Sequence, residues 1–219
     1  MRGIKPIETY YNGYRFRSRL EARWAVFFDS MGIRYKYEKE GFSLPSGPYL
    51  PDFWLSDWEI WFEVKGQFPT LKELHRLQDL CALTGYAACC SEGLPSDKFQ
   101  GQCFVYSQKA EWAESEQSYL PVEDDEIKLS LCNFVISNYP DGDHEAWFFL
   151  DKWEEAFFYK NVDNSFVQYK NKPFMQANND EEYIRFALSE SFFTQDYNPI
   201  HVALKNAKSA RFEFGESGV

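Results

Sequence analysis

The chain has 219 residues, of which 44% are hydrophobic, 19% aromatic and 26% charged, enough apolar material for one large domain or a core with an appendage. No apolar run approaches the ~18 residues of a membrane span, and the N-terminus has no apolar signal region, so a cytoplasmic, non-membrane protein is expected. The net charge of −11 argues against nucleic-acid binding driven by the overall field, but residues 1–80 carry twelve Lys and Arg against eleven Asp and Glu, leaving the acidity to the remainder.

The first predicted helix starts after Ser18. Apolar residues recur at Leu20, Trp24, Phe27/Phe28 and Met31, with Ser18 placed as N-cap and Gly32 as the stop. Glu21, three residues after Ser18, completes a Ser-x-x-Glu capping box. A first-turn carboxylate on a helix crossing a sheet can also point at a metal, and the two roles are compatible. Arg15, Arg17, Arg19 and Arg23 cluster at this helix's start, either to track a phosphate backbone or as a solvated charged face. A short strand is expected at 35–37.

Residues 49–55 and 59–65 are rich in aromatic and β-branched residues around the turn Ser56-Asp57-Trp58, a hairpin pattern. Because strand side chains alternate, Asp52 shares a face with Leu50 and Trp54, while Glu63 shares one with Glu59, Trp61 and Lys65. Pairing the strands brings Asp52, Glu63 and Lys65 together. Adjacent carboxylates repel unless a cation intervenes, and hard oxygen ligands suit magnesium, which keeps several waters and accepts substrate phosphate. Lys65 beside them can orient or deprotonate a water and offset developing negative charge. An ordinary surface hairpin with a cross-strand ion pair is the plainer alternative.

Glu21 on a first helix, Pro51-Asp52 on a strand and Glu63-Val64-Lys65 on the next resemble the PD-(D/E)XK, restriction-endonuclease-like nuclease superfamily. The region 16–66 is also similar to small phage and mobile-element proteins carrying a like helix and a "YLPDFWL…EVKG" stretch. The resemblance implies an α/β fold with an αβββαβ core. It also implies metal ligation by Glu21, Asp52 and Glu63, with Lys65 as catalytic lysine and Mg2+ (or Mn2+) as cofactor. It further implies phosphodiester cleavage, in DNA more than RNA. Other readings stay open: a non-catalytic module that keeps the fold and binds a basic protein partner through its acidic half or mimics DNA, and an RNA-cleaving enzyme.

Beyond the motif, Gly66 ends the strand and Thr70 caps a helix with Leu71, Leu74, Leu77/Leu80 and Leu83 on one face, ended by Gly85. Strands are expected at 86–90 and 103–106. The cysteines at 81, 89, 90, 103 and 132 are an odd set without Cys-x-x-Cys spacing, and read as reduced core thiols. His75, His144 and His201 are scattered; His75, behind the motif, could lie near a phosphate.

The chain divides into a nuclease core at 1–108 and an acidic, aromatic-rich extension at 109–219. In the latter, 111–126 reads as a linker or exposed loop. Strands are expected at 127–137, 146–150, 156–159 and 166–169, and helices at 180–193 and 199–214. The aromatic residues there read as the core of an antiparallel sheet rather than a base-stacking platform, because few basic residues interleave them. The basic C-terminal segment resembles the "A-ARFE-GE" ending of the same phage-like proteins.

Overall fold

Asn12-Gly13, both at positive φ, turn the chain between two short antiparallel strands, β1 (Thr9–Tyr11) and β2 (Tyr14–Phe16). This hairpin precedes the first helix in a computed structural model that describes residues 6–95, 101–116, 118–138, 144–149, 156–160, 166–167 and 199–212. Helix α1 (Arg19–Met31) is capped by Ser18, whose side chain accepts the Glu21 amide, and stops at Gly32 in the left-handed conformation. After it come β3 (Tyr35–Tyr37), a hairpin of β4 (Phe42–Leu44) and β5 (Gly47–Tyr49), then β6 (Phe53–Leu55) and β7 (Ile60–Lys65). Helix α2 (Leu71–Thr84), with a full Thr70–Glu73 capping box, leads to β8 (Ala88–Glu92) and the long β9 (Gly101–Ala113). The remaining elements are β10 (Ser118–Pro121), β11 (Lys128–Asn138), β12 (His144–Phe149), β13 (Ala156–Lys160), β14 (Phe166–Val167) and α3 (Pro199–Ser209).

The fold is mixed α/β. One sheet runs β12-β11-β9-β8-β7-β6-β3, with β10 and β13 also on β9 and β14 on β13. Its pairs are antiparallel except β7–β8, which run parallel. That parallel pair requires a crossover, which α2 supplies. No helix among the described residues is long and apolar enough to cross a membrane.

Both faces of the sheet are covered. On one, Trp24, Phe27 and Phe28 of α1 pack with Phe53, Phe62 and Phe134, and α3 adds Ile200, Ala203, Leu204 and Ala207. Each large side chain buried there contributes about 1.5–3 kcal/mol. On the other face, Leu77, Leu80 and Cys81 of α2 close over Trp54, Trp61 and Leu44. Gly101 marks a close approach: a Cβ there would come within 2.1 Å of the Cys90 carbonyl oxygen, so only glycine lets β9 begin against β8.

Several expected elements shift. The strand expected at 49–55 is two: Tyr49 belongs to β5, and β6 starts only at Phe53, because Pro51 has no N–H to give a ladder. The expected loop at 111–126 instead holds the end of β9 and all of β10, paired through Trp112, Tyr119 and Leu120, residue types that favour strands. The division expected between residues 108 and 109 thus falls inside β9, and strand pairing passes through it. On α2 the buried stripe is Leu77, Leu80 and Cys81, while Leu71 and Leu83 at its ends are exposed. The last helix ends at Ser209 rather than 214. The helix expected at 180–193 lies outside the described residues. All five cysteines are buried thiols outside any disulfide, and burial raises the Cys90 thiol to about 12.

Candidate active site

The β6–β7 register pairs Phe53 with Phe62 and Trp54 with Trp61, so Asp52, just before β6, stands opposite Glu63. Alternation puts both acids and Lys65 on the Trp54–Trp61 face. Asp52 is 3% exposed and Glu63 5%. Charges this deep need partners. Where Pro51 interrupts the ladder, side chains supply the missing bonds: the Asp52 amide donates to Glu63 Oε2 at 3.2 Å, and the Val64 amide donates to Asp52 Oδ2 at 2.8 Å.

The other oxygens meet cations. Arg17 Nη2 donates to Asp52 Oδ1 at 2.8 Å, and Lys65 Nζ donates to Glu63 Oε1 at 2.6 Å. Arg17 also pairs with Glu38 at 2.8 Å, and Lys65 with Glu73 on α2 at 3.5 Å. Burial, then repulsion by Glu63 and Glu21, hold the Asp52 carboxyl well above its ordinary range; the Val64 amide and Arg17 oppose this only in part. For Lys65, burial pulls downward, but attraction to Glu63, Asp52 and Glu73 outweighs it and the pKa rises. Lys65 therefore stays an ammonium at neutral pH, with donors only. It can orient a water or neutralise developing charge, and the proton-accepting role open to it in the sequence does not suit this setting.

Glu21 is buried at the start of α1. Its Oε1 accepts the Ser18 hydroxyl at 2.7 Å, and its Oε2 accepts the Tyr37 hydroxyl at 2.6 Å and the Arg17 amide at 3.1 Å. The reciprocal half of the expected capping box is not made: the Glu21 carboxylate takes the Arg17 amide rather than the Ser18 amide, and the residue so held sends its guanidinium to Asp52. Among the described residues, no three His, Cys, Asp or Glu side chains converge as a metal-binding group. The chemistry of Asp52 and Glu63 still fits a hard divalent cation: two mutually repelling buried carboxylates, which hold Arg17, Val64, Asp52 and Lys65 donors and the Tyr49 hydroxyl and together still retain lone pairs, suffice for an ion that takes most ligands from water and phosphate.

The arginines separate. Arg17 enters the site, whereas Arg15 pairs with Glu8 beyond the β1–β2 turn. Arg19 and Arg23 lie half-buried on α1, outside the cleft beside Glu63. That cleft, about 770 Å3, is lined by Arg17, Glu63, Lys65, Tyr49 and Arg76 among others. His75 is exposed and does not line it. The sequence reading passed over Tyr37, Tyr49 and Arg76. For Tyr37 a signal existed, the alternation Tyr35-Lys36-Tyr37 placing both tyrosines on the core face. Burial, then proximity to Glu63, raises the Tyr49 phenol well above its ordinary value, so it stays a neutral donor.

Comparison with family models, with curated proteins and with solved structures returned no match.

Proposed function

We propose that the chain is a divalent-cation-dependent nuclease that hydrolyses phosphodiester bonds, in DNA rather than RNA, on a restriction-endonuclease-like core. The observation that carries the reading is the convergence of Asp52, Glu63 and Lys65 on one strand-paired face at a cleft. The order α1, β3, β6, β7, α2, β8, with the β7–β8 pair parallel across α2, supports the αβββαβ assignment. The preference for DNA rests on the resemblance to the restriction-endonuclease-like superfamily.

Asp52 and Glu63 would hold the cation, and Mg2+ or Mn2+ bound there would acidify a water and draw off charge from the phosphate. Lys65 donates a charged hydrogen bond to oxygen carrying developing negative charge, in a part-buried setting that strengthens it. Glu21 fixes the Arg17 segment and so positions the guanidinium that steadies Asp52. Tyr49 remains protonated and orients groups at the cleft wall without exchanging a proton.

The test is incubation of wild type and Lys65→Ala with labelled duplex DNA, single-stranded DNA and RNA, with Mg2+, Mn2+ or EDTA. Cleavage of DNA by wild type alone, abolished by EDTA, is the expected result. The net charge of −11 favours one competing reading, a fold-retaining module that binds a basic partner. Absence of cleavage on every substrate would move the assignment there.

A further inference from the structure

The cleft beside Glu63 has two walls of different origin. One is the N-terminal half of α2; the other is the β4–β5 hairpin, inserted between β3 and β6. The walls are tied together, because the Ser46 amide at the hairpin turn donates to Asp79 on α2 at 3.2 Å. Phe42 of β4 also packs edge-on against Trp61 at 5.1 Å, seating the hairpin on the strand next to Glu63. The groove therefore has a held width rather than a loose flap.

Arg76 faces this groove from α2. Its neighbours one turn away on the helix are Glu73 and Asp79, the positions that ordinarily pair with an arginine. Both are engaged elsewhere: Glu73 with Thr70 and Lys65, Asp79 with the Ser46 amide. Glu63 faces the same cleft but is taken by Lys65 and the Asp52 amide. Among the described residues Arg76 has no hydrogen-bond or ion-pair partner, and its Nε is shut off from solvent. A half-buried guanidinium without a counterion is unfavourable, and an anion entering the groove supplies one. The planar fork of arginine matches phosphate oxygens in particular.

We infer that the hairpin and α2 form a substrate-strand groove in which Arg76 takes a backbone phosphate other than the one hydrolysed. The inference rests on the nuclease reading. Lys65 rather than Arg76 pairs with Glu63 at the reacting centre, which leaves Arg76 to a neighbouring phosphate. Phe42, Tyr49 and Leu50 on the hairpin side give the sugar and base an apolar wall. The acidic chain thus needs few cations to hold its substrate, provided they are placed inside the groove.

The test uses the full chain and a fluorescent oligonucleotide in EDTA, so that binding is read without cleavage. Arg76→Gln is expected to weaken binding about tenfold and to reduce the salt slope by about 0.9, the loss of one phosphate contact. Arg76→Lys recovers part of both. In Mg2+, Arg76→Gln raises KM with kcat within about twofold, and one methylphosphonate near the cut site weakens wild type but not Arg76→Gln. Inorganic phosphate competes only at far higher concentration than the oligonucleotide.

An Arg76→Gln protein that cuts and binds like wild type would overturn the inference and leave the nuclease reading standing. The inference is equally overturned if free phosphate binds at Arg76 while oligonucleotide affinity ignores the substitution. If wild type binds and cuts no nucleic acid, both fall together. Arg76→Gln losing kcat alone, at unchanged KM and binding, would make Arg76 part of the reacting centre and also sink the neighbouring-phosphate assignment.

Discussion

Asp52 and Glu63 each hold the backbone of the other's strand: Asp52 Oδ2 accepts the Val64 amide, and Glu63 Oε2 accepts the Asp52 amide. The pair is therefore structural glue as well as a charge centre. Truncation and neutralisation should separate these roles. Asp52→Ala and Glu63→Ala each orphan a buried N–H, costing about 1–3 kcal/mol, set against the relief of carboxylate repulsion. Asp52→Asn and Glu63→Gln keep an acceptor oxygen and remove the charge. All four should abolish cleavage, with the amide variants melting higher than the alanine ones, at about 2–4 °C per kcal/mol for a chain of this size. Thermal melts beside a cleavage assay check both parts. Equal melting temperatures would mean the cross-strand bonds carry no weight.

The raised Asp52 carboxyl sets a pH dependence whose sign follows from linkage. A carboxyl raised above its unfolded value binds its proton more tightly in the folded state. Its contribution to cation-free stability is thus fully present below the unfolded value, about 3.9, and is lost as pH rises through the folded one. Asp52→Asn should flatten that decline. Cleavage, which needs the ionised form, should rise with pH above the ordinary aspartate range, and added Mg2+ should move the limb to lower pH. Arg17→Met should move it higher, since Arg17 is one of the groups opposing the shift. Stability should fall only modestly, because the buried Asp52 that loses its cation can take up a proton instead. pH–rate profiles of wild type and Arg17→Met decide it; coincident limbs would detach Arg17 from the site.

Glu21 invites a test of capping against metal support. Its carboxylate already receives the Ser18 hydroxyl, the Tyr37 hydroxyl and the Arg17 amide. Gln keeps one acceptor oxygen but brings an NH2 among these donors. Glu21→Gln should lower stability by about 1 kcal/mol and slow turnover about tenfold, with the half-saturating Mg2+ concentration unchanged. A raised Mg2+ requirement would instead make Glu21 a ligand, directly or through water.

What could be read from the sequence was what is written locally. Ser18, Gly32, Thr70 and Gly85 end helices through contacts spanning a few residues, and the β6–β7 pairing follows from alternation around a short turn. The Asn12-Gly13 turn was equally local, a hairpin signal overlooked beside the arginines that follow it. Other features depended on distance. Arg17 finds Asp52 35 residues away, and nothing in its neighbours distinguishes it from Arg15 or Arg19. Arg76 reads as a solvated helix position until the β4–β5 hairpin is placed over it. That hairpin was hidden because 49–55 looks like one apolar strand, and only the proline's missing N–H divides it.

Lys65 carries the clearest separation between binding and turnover. Its ammonium is held by Glu63 at 2.6 Å and Glu73 at 3.5 Å, and it remains charged because these attractions exceed the pull of burial. As a charge that stabilises developing negative oxygen, it matters most in the transition state. Lys65→Met should therefore lower kcat about 10²–10³-fold, while oligonucleotide affinity in EDTA changes only a few-fold. The Lys65 charge should persist through neutral pH, so the alkaline fall in rate should come only above the free-lysine value of about 10.4. The stability contributed by the charged form follows the same order, present below that value and lost as pH climbs through the raised folded one. Glu73→Gln offers an independent lever, because Gln preserves the Thr70 cap while removing one of the charges that raise Lys65. Its alkaline limb should lie lower than that of wild type. If the limb does not move, or if Lys65→Met weakens binding as much as it slows turnover, Lys65 is a general phosphate contact rather than the group that stabilises the reacting charge.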